Sequence, residues 1–76
     1  NPPERNLTQV LDAQKVIIAQ IVGPKSLTVR LAEFGFTEGE PVRVVGRALF
    51  GSPLYVEIRG TVMALRAEEA KCLQVK

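Results

Sequence analysis

The sequence contains no histidine and only one cysteine among its 76 residues. A tetrahedral structural zinc site takes about four nitrogen or sulfur ligands, and this chain has too few of them to build one. The single Cys72 also excludes an internal disulfide, and without a histidine to activate it the thiol is predicted to be a small buried apolar group. We therefore expect no metal site and no cofactor, and the lone thiol fits a reducing compartment.

The constellations that carry catalysis are missing as well. The two serines, Ser26 and Ser52, stand at a helix start and in a loop, and the sequence places no general base beside either of them. Glu68 and Glu69 are adjacent, so their side chains diverge on a helical turn, where the helix dipole favours acidic residues. We interpret these glutamates as solvated charges and predict a protein without enzymatic activity.

Long apolar runs and clustered charges are also absent. No run approaches the roughly 20 residues needed to span a bilayer, so we expect a soluble chain without direct membrane insertion. Ten basic and eight acidic residues give a net charge of +2, and the two signs alternate along the chain, which leaves no stripe for phosphates. Three phenylalanines and one tyrosine are too few for a base-stacking platform, so nucleic-acid binding is not expected.

The length allows one domain with a thin core, because a chain of this size buries only roughly 60 to 65% of its unfolded surface. Residues 1–6 hold two prolines and no apolar side chain, so we expect a flexible lead-in over 1–6 and a single domain over 7–76. The sequence starts at Asn1 and not at a methionine, which indicates a processed chain or an excerpt of a longer protein.

One segment, residues 26–34, carries a clear helix signal. Leu27, Leu31 and Phe34 recur at positions i, i+4 and i+7, which places them on one apolar face. Ser26 is a residue type that caps helix N-termini, because its hydroxyl accepts a hydrogen bond from an amide of the first turn. The sequence therefore predicts a short helix that begins after Ser26 and packs these apolar side chains inward.

The helix is expected to end at Gly35, because a residue with left-handed φ closes many helices and glycine adopts it at the least cost. Phe36 then folds back on Leu31 as the apolar contact of a Schellman-type cap. On the outward face, Arg30 and Glu33 are three residues apart and predict an exposed ion pair of small energetic weight. Solvated surface is the main interpretation of this pair, and the polar rim of a docking face is the alternative.

The rest of the chain has the pattern of short strands. Leu54, Val56 and Ile58 give the strongest period-2 signal, and Gly46 inside the preceding strand indicates a bulge or a sharp bend. Helical turns are expected near 8–11 and 67–71. The predicted strands cover residues 15–22, 41–49, 54–58, 61–65 and 73–75. Five short strands bent by glycines, with one helix near the first connection, indicate a mostly β fold, a small SH3-like barrel, with an OB-type barrel as the second choice.

The turn between the second and third predicted strands is unusually apolar. Leu49 and Phe50 stand next to Gly51, at a hairpin tip where polar residues are the rule. Two interpretations stay open: one of these side chains folds back over the end of the barrel, or the pair is a contact for a partner.

Four sequence blocks stand in a specific order and spacing: Arg30-Leu31-Ala32-Glu33-Phe34-Gly35-Phe36 with Gly39, Gly51-Ser52-Pro53-Leu54, Arg59-Gly60, and Ala64-Leu65-Arg66 leading to Glu69-Ala70. With these blocks the chain resembles the ferrous iron transport protein A (FeoA) family from about residue 7 to residue 75. One departure is Ala13, because the family often has glycine ahead of the first strand, so the entry turn is expected to differ.

The resemblance implies an SH3-like barrel with an accessory role beside ferrous iron transport protein B, a membrane transporter that carries a cytoplasmic G-protein domain. The expected partner-binding residues are Arg30 and Glu33 on the helix and Leu49 and Phe50 at the tip, and the expected location is cytoplasmic, at the inner face of the membrane through the partner. The same domain type is similar to the C-terminal module of DtxR-like metal-dependent repressors. That module is the alternative function, and the oligomeric state stays open.

Overall fold

The computed structural model describes residues 5–76, which form a mostly β protein. Its six strands are β1 (Arg5–Asn6), β2 (Lys15–Ile21), β3 (Pro41–Arg47), β4 (Leu54–Ile58), β5 (Thr61–Leu65) and β6 (Leu73–Val75). They form one antiparallel sheet in the order β1-β6-β2-β3-β4-β5. Helix α1 covers Lys25–Glu33, α2 covers Ala67–Ala70, and 3₁₀ turns cover Leu7–Gln9 and Leu49–Gly51.

Strand β2 is an inner strand of the sheet, between β6 and β3. Its first half pairs with β3 and its second half with β6, and the register with β6 shifts between Ile18 and Gln20. A second shift, between Val44 and Gly46, bends β3 against β4 and confirms the bulge predicted at Gly46. These irregularities increase the local twist, which lets so short a sheet curl around a core.

Helix α1 begins earlier than the sequence indicated. Its N-cap is Pro24, whose carbonyl accepts from the amides of Leu27 and Thr28 at 3.0 Å each, and Ser26 makes no capping hydrogen bond. The prediction of Ser26 as the N-cap is therefore wrong. The physical reason is that Pro24 has no N–H, so a helix that starts there leaves one fewer amide without an acceptor.

The exit from α1 is the predicted Schellman cap. The Phe36 amide donates to the Leu31 carbonyl at 3.0 Å, the Gly35 amide donates to the Ala32 carbonyl at 3.0 Å, and Gly35 has φ of 96°. Leu31 and Phe36 are fully buried, whereas Phe34 is 40% exposed. The inward packing predicted for Phe34 is thus wrong, because the cap turns the chain after the last helical residue and sends Phe36 into the core instead.

The core draws on every strand of the sheet except β1, and on α1, α2 and the first 3₁₀ turn. The predicted flexible lead-in at 1–6 lies mostly outside the described residues, and its last two, Arg5 and Asn6, pair with β6. The buried apolar side chains are Leu7, Val10, Val16, Ile18, Leu31, Phe36, Val42, Val44, Leu54, Val56, Ile58, Leu65, Ala70, Cys72, Leu73 and Val75.

The helical turn predicted near 8–11 is a 3₁₀ turn at Leu7–Gln9, and Arg47 holds the segment after it against the sheet. The guanidinium donates to the carbonyls of Thr8, at 3.0 Å, and Val10, and its Nε lies 3.0 Å from the Asp12 carboxylate. One side chain at the end of β3 therefore satisfies two backbone carbonyls of a loop that would otherwise depend on water.

Ala13, in the turn that enters β2, has a backbone conformation that costs energy. Its φ is 68°, and its amide donates to the Val44 carbonyl at 2.6 Å, so the turn is tied to the middle of β3. A side chain with a Cβ adopts left-handed φ at a cost of roughly 1 to 2 kcal/mol. This strain is a physical reason why glycine is favoured over alanine at position 13.

We predict that Ala13→Gly stabilises the protein. The substitution relieves the left-handed strain but enlarges the ensemble of the unfolded chain, so the free energy of unfolding should rise by about 0.5 to 1 kcal/mol. Chemical denaturation measures the change. The matched control is Ala32→Gly in the last turn of α1, which should lower the same free energy by up to about 1 kcal/mol. Equal destabilisation at both positions would contradict the strain at Ala13.

Cys72 is buried, as predicted, although it lies in the turn between α2 and β6 and not in a strand. Its Sγ lies 3.5 Å from the Glu68 carbonyl, and a Cβ built on Gly23 would come within 2.5 Å of that sulfur. Burial raises the pKa of the Cys72 thiol, and the neighbouring Glu69 carboxylate raises this pKa further.

This raised pKa predicts a loss of stability in alkali. The thiol of the unfolded chain ionises near pH 8.5, before the folded thiol does, so the contribution of Cys72 is complete below about pH 8.5 and is lost as the pH rises through the folded value. Urea unfolding at a series of pH values should show a steeper alkaline decline for the wild type than for Cys72→Ala. Parallel declines in the two proteins would show that the thiol titrates normally.

Candidate functional site

The apolar tip, defined as Leu49 and Phe50, projects from the connection between β3 and β4. Leu49 is 81% exposed and Phe50 is 100% exposed, so neither side chain folds back over the barrel. Phe50 has φ of 66°, a left-handed conformation that favours glycine. Phe50 therefore combines a strained backbone with a fully exposed aromatic ring. Backbone strain and exposed apolar side chains are both common at functional sites.

The loop that carries the apolar tip is held by its own backbone and by α2. The Ala48 amide donates to the Pro53 carbonyl at 3.0 Å, and the Gly51 amide donates to the Ala48 carbonyl at 3.0 Å. The Ser52 hydroxyl oxygen accepts from the Ala67 amide at 3.2 Å, at the start of α2. These bonds fix the path of the loop, so its exposed side chains are presented from a defined backbone.

Arg30 lies on the exposed face of α1, but its ionic partner is not the one that the sequence predicted. Its Nε lies 3.4 Å from a carboxylate oxygen of Glu69, and its guanidinium carbon lies 5.6 Å from the centre of the Phe34 ring. Glu33 is exposed, and among residues 5–76 the salt bridge of Arg30 is to Glu69. The helix residue therefore connects α1 to α2 across the barrel surface.

Glu69 is buried and not a solvated charge, which corrects the interpretation from the sequence. Only 5% of the residue is exposed, and its Oε1 accepts from the Arg66 amide at 2.9 Å, which closes the first turn of α2. With Arg30 on its second oxygen, the carboxylate is satisfied by a cation and an amide. Spacing along the chain gave no signal for this pair, because 38 residues lie between Arg30 and Glu69.

Arg30 and the loop after the apolar tip both line one groove, which we call the α1–α2 groove, of about 630 Å³. Three cationic side chains and two carboxylates, those of Glu68 and Glu69, reach it, so the groove has an excess of one positive charge. In the described part of the chain the salt bridge among them joins Arg30 to Glu69, which leaves the cations of Arg66 and Lys71 available to an anionic group. Glu33 is not part of this lining. The lining residues are Arg30, Ser52, Pro53, Ala64, Arg66, Ala67, Glu68, Glu69 and Lys71.

Residues 5–76 contain neither clustered metal ligands nor a long apolar helix. Between residues 5 and 76, no three side chains of the types Cys, Asp or Glu lie close enough together to share a metal ion. Neither helix in that range has the length and apolar character that a membrane crossing requires.

Comparison with known proteins assigns the chain to a family. The model of the FeoA domain matches residues 5–76. A putative Fe(2+) transport protein A of Campylobacter jejuni is 32% identical over 69 residues, which cover 91% of this chain and 93% of that protein.

Solved structures give the same result for the fold. The FeoA of Stenotrophomonas maltophilia, described as a prokaryotic SH3 domain protein and crystallised with zinc, is 30% identical and superimposes with a TM-score of 0.82 over 95% of this chain and 89% of that one. A manganese-dependent transcriptional repressor superimposes with a TM-score of 0.87 at 24% identity, over 99% of this chain but 42% of that one, and this likeness shows the fold alone. The SH3-like barrel predicted from the sequence is confirmed, and the chain belongs to the FeoA domain family.

Proposed function

We propose that this chain is a non-catalytic accessory protein of ferrous iron transport. In this role it docks on the cytoplasmic part of a membrane transporter that carries a G domain, the ferrous iron transport protein B. The observation that carries the proposal is the apolar tip, two exposed hydrophobic side chains on a loop fixed by three hydrogen bonds. Support for the iron pathway comes from the relative that is named a putative Fe(2+) transport protein A and is matched over 93% of its length.

The apolar tip has the physical properties of an interface anchor. Covering a phenylalanine side chain removes it from water and contributes roughly 1.5 to 3 kcal/mol. Because the loop is already ordered, docking loses little further backbone entropy, which is the usual cost of binding through a loop. A partner with a matching apolar pocket would therefore bind the tip with most of this free energy retained.

Arg30 and Glu33 complete the proposed contact as its polar rim. Both are exposed on α1, and charged residues at the edge of an interface set orientation and association rate more than affinity. Arg30 is already oriented by Glu69 and Phe34, so it offers a fixed cation to the partner.

The proposed action is to modulate the transporter and not to carry out a reaction. An SH3-like barrel acts through loops and sheet edges, and docking beside a G domain alters nucleotide hydrolysis or the assembly of the transporter. The location follows from the partner: the chain works in the cytoplasm, at the inner face of the membrane.

A regulatory module of a DtxR-like repressor is the competing function, because the repressor structure shares the fold. The sequence identities favour the transport role: the transport relative is 32% identical to this chain, whereas the repressor is 24% identical and shares the fold alone.

We predict that Phe50→Ala weakens binding of the chain to the purified cytoplasmic part of the transporter by about 1 to 3 kcal/mol, because the ring is the largest exposed apolar group of the tip. Isothermal titration calorimetry measures the change. Leu11→Ala is the matched control, since Leu11 is 74% exposed and lies outside the tip. Equal affinities for the wild type and Phe50→Ala would remove the tip from the interface.

The adaptor role itself has a separate test. The tagged wild-type chain should recover the transporter from detergent-solubilised membranes, and recovery should fall for the double variant Leu49→Ala, Phe50→Ala. Repeated failure of the wild-type chain to recover the transporter, with the transporter present in the extract, would refute the role.

A further inference from the structure

Strand β5 is an edge of the sheet over the described range 5–76, where its strand partner is β4 alone. The two strands are joined by the two-residue turn Arg59-Gly60, with φ of 52° and 79°, and Ile58 faces Thr61 across it. In such a hairpin the pair next to the turn exchanges hydrogen bonds, and bonded and non-bonded pairs then alternate.

This register determines which backbone groups of β5 face away from the sheet. Thr61, Met63 and Leu65 bond to β4, so the N–H and C=O groups of Val62 and Ala64 point outward. Both residues are exposed, and in the part of the chain that the structure describes no hydrogen bond of these groups to another loop or side chain is found. Four outward backbone groups at alternate positions are what an added strand requires.

The edge also lacks the usual protection against pairing. Proteins blunt exposed edges with charges, prolines or bulges, whereas β5 has the sequence Thr-Val-Met-Ala-Leu and pairs with β4 without a register shift. Val62 is 55% exposed, which adds a β-branched side chain suited to cross-strand packing. An uncharged edge strand with a regular register can pair with a strand of another protein.

The C-terminal end of this edge runs into the α1–α2 groove. Ala64 is part of the groove lining, and Arg66 follows β5 directly. The free cations of Arg66 and Lys71 therefore lie beyond the last outward backbone groups. A segment that continues past Ala64 in extended form would bring its next side chains to these two cations.

We propose that β5 is a docking edge for an extended acidic segment of another protein, which adds to the sheet as an antiparallel strand and places carboxylates against Arg66 and Lys71. In the antiparallel orientation the acidic residues precede the paired ones, because the N-terminal end of the added strand lies beside the C-terminal end of β5. The backbone of the segment supplies affinity and its carboxylates supply specificity. This surface is separate from the apolar tip, so the inference does not depend on the transporter as the partner.

A second copy of the chain fits this edge less well. An antiparallel pair of β5 strands centred on Met63 uses the same outward groups, but it sets Arg66 of each copy beside the Arg59-Gly60 turn of the other. The guanidinium groups of Arg59 and Arg66 then gather at both ends. Two of the carboxylates near them are already engaged, because Glu40 holds Arg59 at 2.9 Å and Glu69 holds Arg30 at 3.4 Å, so Glu68 alone is left to balance them. Charge complementarity thus favours an acidic segment.

The probe is a labelled synthetic peptide with two glutamates followed by five residues of alternating valine and threonine, and a second peptide carries lysines in place of the glutamates. Fluorescence anisotropy with the full chain should give affinity about tenfold higher for the acidic peptide, and this preference should fall as salt is raised. Amide chemical shifts should change at Val62 and Ala64 and at the groove.

Two variants test the two parts of the surface. Ala64→Pro removes one outward N–H and leaves the bonds between β4 and β5 in place, since proline is tolerated on edge strands, and it should abolish binding of the acidic peptide. The double variant Arg66→Gln, Lys71→Gln should erase the preference for the acidic peptide. Its matched control is Lys15→Gln, Lys25→Gln, which removes the same charge from outside the groove and should keep the preference. The amide spectrum of each variant shows whether the fold is retained.

Three outcomes would overturn the proposal. Equal affinity for the two peptides would exclude the role of the cations, and unchanged binding in a folded Ala64→Pro would exclude strand addition. A dimer of the chain alone in sedimentation equilibrium, lost in Ala64→Pro, would assign the edge to a second copy instead. Failure of the transporter to bind the chain bears on the proposed function only and leaves these measurements unaffected.

Discussion

Burial of one small core is the constraint on which the rest of this structure depends. A chain of 76 residues offers few apolar side chains, so the sheet must curl tightly and short segments outside it must contribute to the core. Bulges in β2 and β3 provide the curvature, Phe36 enters the core through the cap of α1, and Leu7 and Val10 enter through the first 3₁₀ turn. Arg47 holds this last segment in place, which makes a single guanidinium part of the closure of the core.

The sequence could predict those elements whose cause is local. Alternation in β4, the glycine exit of α1 and the bend at Gly46 each depend on neighbouring residues, and each is found where the pattern indicated it. The predictions for the start of α1 and for the burial of Phe34 were wrong for related reasons. Ser26 is a common capping residue, but the N-cap of the helix is Pro24, which has no N–H that needs an acceptor. Phe34 is apolar, but the Schellman cap turns the chain after it and buries Phe36 instead.

The features of the candidate surfaces also differ in whether their cause is local in the sequence. The exposure of Leu49 and Phe50 could be suspected from two apolar residues in a turn, although the choice between folding back and projecting required the loop geometry. The partner of Arg30 could not be found by spacing, because Glu69 reaches it through the tertiary fold. The outward groups of β5, in contrast, follow from the two-residue turn Arg59-Gly60 and its register, both of which are local features of the sequence.

The apolar tip and the α1–α2 groove are mechanically connected, although they present different chemistry. Ser52 and Pro53 leave the tip loop and form a wall of the groove, and the bond from the Ala67 amide to the Ser52 hydroxyl joins that wall to α2. A partner that covers the tip therefore contacts a loop whose position also shapes the groove beside β5. Ser52 and Pro53 are thus shared by the two surfaces, and the packing that fixes the loop of the apolar tip also fixes this wall of the groove.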